Sequence, residues 1–118
     1  MADLVACLST GKGTWGNIKR TIEEGEWENI FLITNDFGKE NFKSEKKCEL
    51  IGVDSRKPME ELIGEIKSGL DGKVNGTEVA LNMISGSGKE HMALISAIIK
   101  LGLGFRQMAL TRDGIKEI

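Results

Sequence analysis

Two short loops of small and hydroxyl-bearing residues carry the chemistry that the sequence offers. Each loop lies between an apolar, strand-like run and a predicted helix, and each combines hydroxyl groups, glycines and a lysine. The first glycine loop consists of Ser9, Thr10, Gly11, Lys12, Gly13 and Thr14, and the second glycine loop of Ser85, Gly86, Ser87, Gly88 and Lys89. Free amides and the helix dipole at a helix N-terminus favour an anion. The two loops therefore predict a pocket for a small phosphate-bearing ligand.

The elements that must position these loops alternate between strand-like and helix-like segments. The pattern predicts strands over residues 3–8, 29–33, 49–53, 77–84 and 105–110, and helices over 14–24, within 34–47, from 54 to 70 with Pro58 in the first turn, and over 90–101. Such alternation predicts an α/β fold, a Rossmann-like three-layer sandwich with a mostly parallel sheet of about six strands. Asp113-Gly114 predicts a hairpin turn into a C-terminal edge strand that is antiparallel.

The predicted strand order brings the two glycine loops together. In the order 3-2-1-4-5, strands one and four are neighbours, and the helices that follow them leave on opposite faces of the sheet. We therefore expect both loops to flank one crevice at the carboxyl ends of the strands. The length of 118 residues predicts one domain over 1–118.

Composition argues against several classes of protein. A net charge of -2 does not favour direct DNA binding, which needs a basic face. No apolar run approaches the ~20 residues that span a bilayer, and no secretory signal is apparent, so we expect a cytoplasmic protein without membrane contact. Cys7 and Cys48 are expected as buried, reduced thiols. The single histidine, His91, and the lack of a Cys/His cluster predict no metal site, and no cofactor is expected.

The P-loop motif of nucleotide triphosphatases is absent from both glycine loops. In the first loop, Ala6 stands where the first glycine of the motif belongs, and Gly13 replaces the hydroxyl residue that holds magnesium. In the second loop, Met83 and Glu90 occupy the corresponding positions. The sequence therefore argues against a nucleotide triphosphatase.

The Gly-x-Gly-x-x-Gly fingerprint of dinucleotide-binding proteins matches at Gly11, Gly13 and Gly16. It follows a strand and opens a helix, and Asp36 lies at about the expected ~20 residues further on. Two hydroxyl residues, however, lengthen the turn before Gly11. A nicotinamide-dinucleotide (NAD)-sensing regulatory domain is therefore the alternative hypothesis. A complete dehydrogenase is not expected, because no residues remain for a substrate domain.

The second glycine loop and its flanks resemble the signature of CARF domains, the CRISPR-associated Rossmann fold. Residues 79–89 have the sequence Val-Ala-Leu-Asn-Met-Ile-Ser-Gly-Ser-Gly-Lys, followed at 92–94 by Met-Ala-Leu. This is similar to the family's strand ending near an Asn, its Ser/Thr-Gly-Gly-Thr-Lys type loop and its apolar helix. Residues 4–10 resemble the first strand with its terminal hydroxyls, 49–58 the third strand, and 104–114 the closing strands. The resemblance spans nearly the whole chain.

This resemblance implies a specific ligand. CARF domains are homodimers that bind cyclic oligoadenylates, the second messengers of type III CRISPR immunity, across the two-fold axis. By position, the matching residues are Ser9 and Thr10 at the first strand, Asn82 at the fourth strand, and Ser85, Gly86, Ser87, Gly88 and Lys89 in the phosphate-contacting loop.

Catalysis is a further possibility that the resemblance raises. Some CARF domains cleave their ligand without a metal and are called ring nucleases. The corresponding candidates are Lys89, as the group that stabilises developing charge, and Ser9 or Thr10, as orienting groups. His91 is a candidate for proton transfer. Whether the chain is an enzyme stays open at this point.

The predicted helix over 90–101 is apolar almost all round and needs cover on two sides. One side is expected to face the sheet. The other is covered either by a second copy in a homodimer or by neighbouring elements of the same chain. A Rossmann-like fold that serves only protein interaction is the third hypothesis.

Overall fold

The computed structural model describes residues 2–8 and 11–118 and contains one six-stranded sheet. Its strands are β1 (Ala2–Cys7), β2 (Trp27–Thr34), β3 (Glu49–Gly52), β4 (Glu78–Asn82), β5 (Gly104–Thr111) and β6 (Gly114–Glu117). The strand order is β3-β2-β1-β4-β5-β6, with five parallel strands and β6 antiparallel to β5. The predicted Rossmann-like α/β fold with a closing hairpin is confirmed.

Helices cover both faces of this sheet. They are α1 (Trp15–Glu24), preceded by a short 3-10 helix (Lys12–Thr14), and then α2 (Asp36–Asn41), α3 (Met59–Leu70) and α4 (Gly88–Lys100). Of the helices that the structure describes, none has the length and apolar character to cross a membrane.

The central strand β1 shows why the sheet needs two layers of helix. Val5 and Cys7 belong to the apolar core shared with α3 and α4, whereas Leu4 and Ala6 belong to the core shared with α1. Successive side chains of a strand point to opposite faces, so a strand with apolar residues on both faces must be covered twice. The layers of helix therefore place α1 and α4 on opposite faces of the sheet.

Two predicted boundaries near the second glycine loop were wrong, and side chains explain both. β4 ends at Asn82 rather than at residue 84, because the Asn82 side chain accepts a hydrogen bond from the Ile84 amide at 3.1 Å and turns the chain. α4 begins at Gly88 rather than at residue 90, because Ser87 caps the helix. β2 begins at Trp27, earlier than residue 29, and α3 begins at Met59 rather than at residue 54, because Pro58 before it is extended. The remaining element ends shift by a residue or so, as helix and strand ends commonly do.

Pro58 and Cys48 also differ from the expectation. Pro58 is the N-cap of α3 rather than a residue of its first turn, since its ψ of 150° is extended. Cys48 precedes β3 and is half-buried, whereas Cys7 is buried within β1. The expectation of two buried thiols is therefore right for Cys7 alone.

Candidate functional site

The second glycine loop meets the end of β1 at the centre of the sheet. A Cβ atom added at Gly86 would lie 3.1 Å from the Cβ of Cys7, the last residue of β1. β1 and β4 are adjacent, and the strand order reverses between them. Ligands of open α/β sheets bind at such a point, beyond the carboxyl ends of the strands. The predicted neighbourhood of strands one and four is confirmed.

The second glycine loop is held in shape by its own side chains. Ser87 and Glu90 form a capping box, in which the Ser87 hydroxyl accepts from the Glu90 amide at 3.2 Å and the Glu90 carboxylate accepts from the Ser87 amide at 2.8 Å. The His91 ring nitrogen Nε2 lies 2.8 Å from the Ser85 carbonyl oxygen, which accepts its hydrogen. The capping box uses the amides of Ser87 and Glu90. The start of α4 therefore has the amides of Gly88 and Lys89 left to bind an anion.

Asn82 braces the strand that leads into this loop. Its amide nitrogen donates to the Met108 carbonyl of β5 at 2.9 Å, and its side-chain oxygen accepts from the Ile84 amide. Asn82 and Ser85 are both buried. The geometry gives Asn82 a positioning role, while its contact with a ligand stays a prediction.

Lys89 reaches away from α4 towards the loop between β3 and α3. Its ammonium group donates to the Lys57 carbonyl oxygen at 2.6 Å. This single hydrogen bond uses one of the three N–H donors of the ammonium group. Lys89 therefore ties two loops at the carboxyl edge together and carries a positive charge there.

The first glycine loop is described from Gly11 onward, and Ser9 and Thr10 lie outside the described residues. Predictions about those two hydroxyls therefore stay predictions. Lys12 begins the 3-10 helix, and its ammonium group lies 5.7 Å from the ring centroid of Trp15 and 5.7 Å from that of Phe37. Such cation–π contacts hold the charge at the surface near the rings. The Thr14 hydroxyl is buried and makes no hydrogen bond within the part of the chain that the structure describes.

The third glycine of the dinucleotide fingerprint does not make the close packing that the fingerprint assigns to it. This glycine normally lets the helix pack closely on a strand. Gly16 is exposed here, and a Cβ atom there would meet nothing within 4 Å. Gly13 likewise has open space. The sequence therefore matches the fingerprint in its residue types at Gly11, Gly13 and Gly16, but the structure lacks the close packing of helix on strand at Gly16.

A concavity, the β2–β3 cleft, lies at the carboxyl ends of β2 and β3. It is open, has a volume of about 650 Å³, and its charged and aromatic lining consists of Asp36, Phe37, Lys39, Asp54, Arg56 and Glu65. Sequence reasoning missed this cleft. The available signal was that Asp36 and Asp54 each follow a strand at the same edge of the sheet.

Two ionisable groups near these sites have altered pKa values with clear causes. Hydrogen bonds from the Arg56 guanidinium lower the pKa of the Asp54 carboxyl, with Nε–Oδ1 at 3.0 Å and Nη2–Oδ2 at 3.2 Å. Burial, and to a smaller extent the charge of Glu90, raises the pKa of the Cys7 thiol to about 12. Cys7 is therefore a neutral packing group and not a nucleophile at neutral pH.

Comparison with known proteins does not assign the chain to a family. No protein-family model matches the chain, and no curated protein matches it either. What the fold and the site define is a Rossmann-like α/β protein with a structured loop and helix N-terminus at the reversal point of its sheet.

Proposed function

We propose that the chain is a cytoplasmic ligand-sensing domain that binds a cyclic oligoadenylate, as the CARF domains that it resembles do. The observation that carries the proposal is the contact of Gly86 with Cys7, because it sets the second glycine loop over the end of β1. A cyclic oligoadenylate presents a ring of phosphates, which amides at helix N-termini and lysine side chains bind well. The amides of Gly88 and Lys89 and the charge of Lys89 offer those groups.

The proposal includes a homodimer, which the exposed apolar residues on the outer surface of α4 support. Met92 is 64% exposed and Ile99 is 62% exposed, and they lie two helical turns apart on one side of α4. Ile84, which is 53% exposed, adds to the apolar surface from the loop before the helix. A second copy that covers this surface in a self-complementary interface would bring two copies of the second glycine loop together. A ring-shaped ligand with its own symmetry would fit across that axis.

Calorimetric titration distinguishes binding of a cyclic oligoadenylate from binding of a dinucleotide and from the absence of either. The probes are cyclic tetra-adenylate, cyclic hexa-adenylate, NAD and NADP, at one fixed salt concentration, because phosphate binding depends on salt. The proposal predicts binding of at least one ring. Binding of NAD or NADP without either ring would instead support the dinucleotide alternative. Binding of none of the four would contradict both and leave the protein-interaction hypothesis.

Ring cleavage is a separate step with its own test. In the metal-independent reaction, a ribose 2′-hydroxyl loses its proton and attacks the adjacent phosphorus. The bond to the 5′-oxygen then breaks, the 5′-oxygen takes a proton, and a 2′,3′-cyclic phosphate remains. Lys89 would stabilise the developing charge, with Ser9 or Thr10 as orienting groups. Incubation of a labelled ring with the protein in EDTA gives a linear product if the chain is a ring nuclease, and unchanged ring if it only binds.

A further inference from the structure

We infer that the β2–β3 cleft holds the base and ribose of one nucleotide whose phosphate lies near Lys12 and Lys89. This inference rests on the proposed function, which concerns the phosphates, and it names where a nucleoside of the ligand lies. The cleft volume of about 650 Å³ is within the usual range of small-molecule sites, about 300–1,000 Å³.

The charge of the cleft disfavours a phosphate and suits a neutral, hydrogen-bonding group. Its lining has three carboxylates and two cations, a net charge of -1. Two of these carboxylates are already paired, Asp54 with Arg56 and Glu65 with Lys57. Asp36 is exposed at the start of α2, where its carboxylate accepts hydrogen bonds from hydroxyl or amino groups. A ribose hydroxyl and the amino groups of a base are such donors.

Phe37 supplies a flat surface for a base. The residue is 38% exposed, although a phenylalanine is usually buried, and it lines the cleft. Trp15 packs against it with the ring centroids 5.9 Å apart, so the position of the ring is fixed from behind. Exposed aromatic rings of this kind stack on nucleobases.

A lysine from each glycine loop lies near the cleft without lining it. Lys12 of the first loop contacts Phe37 through its ammonium group, 5.7 Å from the ring centroid. Lys89 of the second loop donates to the carbonyl oxygen of Lys57, the residue after Arg56. Lys12 and Lys89 therefore place positive charge beside the cleft, outside its lining. A nucleotide with its base on Phe37 would have its phosphate near these two lysines.

The test compares variants of the full chain by calorimetry, with cyclic tetra-adenylate and adenosine 5′-monophosphate as probes. Phe37→Leu keeps apolar bulk and removes the aromatic face, whereas Phe37→Trp keeps an aromatic face. Ser55→Trp adds bulk to the cleft from the loop after β3 and leaves Phe37 unchanged. We expect about tenfold weaker binding of the ring for Phe37→Leu and Ser55→Trp, and near wild-type binding for Phe37→Trp. Thermal unfolding checks that each variant is folded.

The outcomes separate this inference from the proposed function. If the ring binds, and Phe37→Leu and Ser55→Trp bind it as tightly as the wild type, the nucleoside site is overturned while ring binding stands. If the ring does not bind but adenosine 5′-monophosphate does, and Phe37→Leu weakens it about tenfold, the nucleoside site stands and the proposed function fails. If neither probe binds the wild type, the inference is overturned as well.

Discussion

Gly86 lies so close to Cys7 that a Cβ atom at position 86 would stand 3.1 Å from the Cβ of Cys7. Its φ of +106° is also one that side-chain-bearing residues rarely adopt. We predict that Gly86→Ala lowers the free energy of unfolding by about 1–3 kcal/mol, measured by urea denaturation. Gly88→Ala is the matched control, because Gly88 has open space and begins α4. Equal stability of the two variants would contradict the close packing of the loop on β1.

The capping box gives a second prediction about the same loop. Ser87→Ala removes the side-chain acceptor of the Glu90 amide and should cost about 1 kcal/mol of stability. Ser68→Ala, at an exposed position within α3, should be neutral or slightly stabilising. The melting temperatures of the two variants provide the comparison. An unchanged melting temperature for Ser87→Ala would mean that the cap does not hold the start of α4.

The raised pKa of Cys7 predicts a loss of stability at alkaline pH. The usual value is 9.0 and the folded value is about 12, so between these pH values the unfolded thiol ionises while the folded one stays protonated. The unfolded state then binds fewer protons, and stability falls as the pH rises. From pH 7 to pH 10 this contribution amounts to on the order of 1 kcal/mol.

Urea denaturation of the wild type and of Cys7→Ala at both pH values isolates the thiol, because other groups titrate alike in the two proteins. The wild type should lose more stability than Cys7→Ala between pH 7 and pH 10. Parallel losses in the two proteins would show that burial does not shift this thiol.

The apolar outer surface of α4 predicts a dimer that a single charge disrupts. Ile99→Lys should give a monomer and weaken ring binding, since a buried, unpaired ammonium group opposes association. Sedimentation velocity measures the mass in solution. Ile118→Lys, which places the same charge at another exposed apolar residue, should leave the dimer intact. A monomeric wild type, with and without the ring, would contradict the proposed interface.

The sequence was sufficient to predict the sheet and the position of its reversal point. Apolar strands that alternate with amphipathic helices leave few topologies, because crossovers are right-handed and helices must cover both faces. Those constraints do not select one strand order; the order with β1 beside β4 was predicted as a common Rossmann order and is confirmed. Ser87 and Glu90 had the spacing of a capping box, which would have moved the predicted start of α4 to Gly88.

The sequence pattern could not predict the β2–β3 cleft, and the reason is physical. Its walls come from loops after two different strands, and its size depends on how Phe37 rests on Trp15 and how Lys39 lies over Gly52. Periodicity assigns residues to faces but not the distance between two loops. The same limit applies to Lys89, whose bond to the Lys57 carbonyl joins loops far apart in the chain.

In the proposed complex, the second glycine loop holds the phosphates of a cyclic oligoadenylate. The most direct measurement is the dissociation constant of the tighter-binding ring for the wild type, Lys89→Ala and Lys100→Ala, which remove the same charge from opposite ends of α4. A charge-assisted hydrogen bond to phosphate predicts at least about tenfold weaker binding for Lys89→Ala and little change for Lys100→Ala. Wild-type affinity in Lys89→Ala, or equal losses in both variants, would contradict the account.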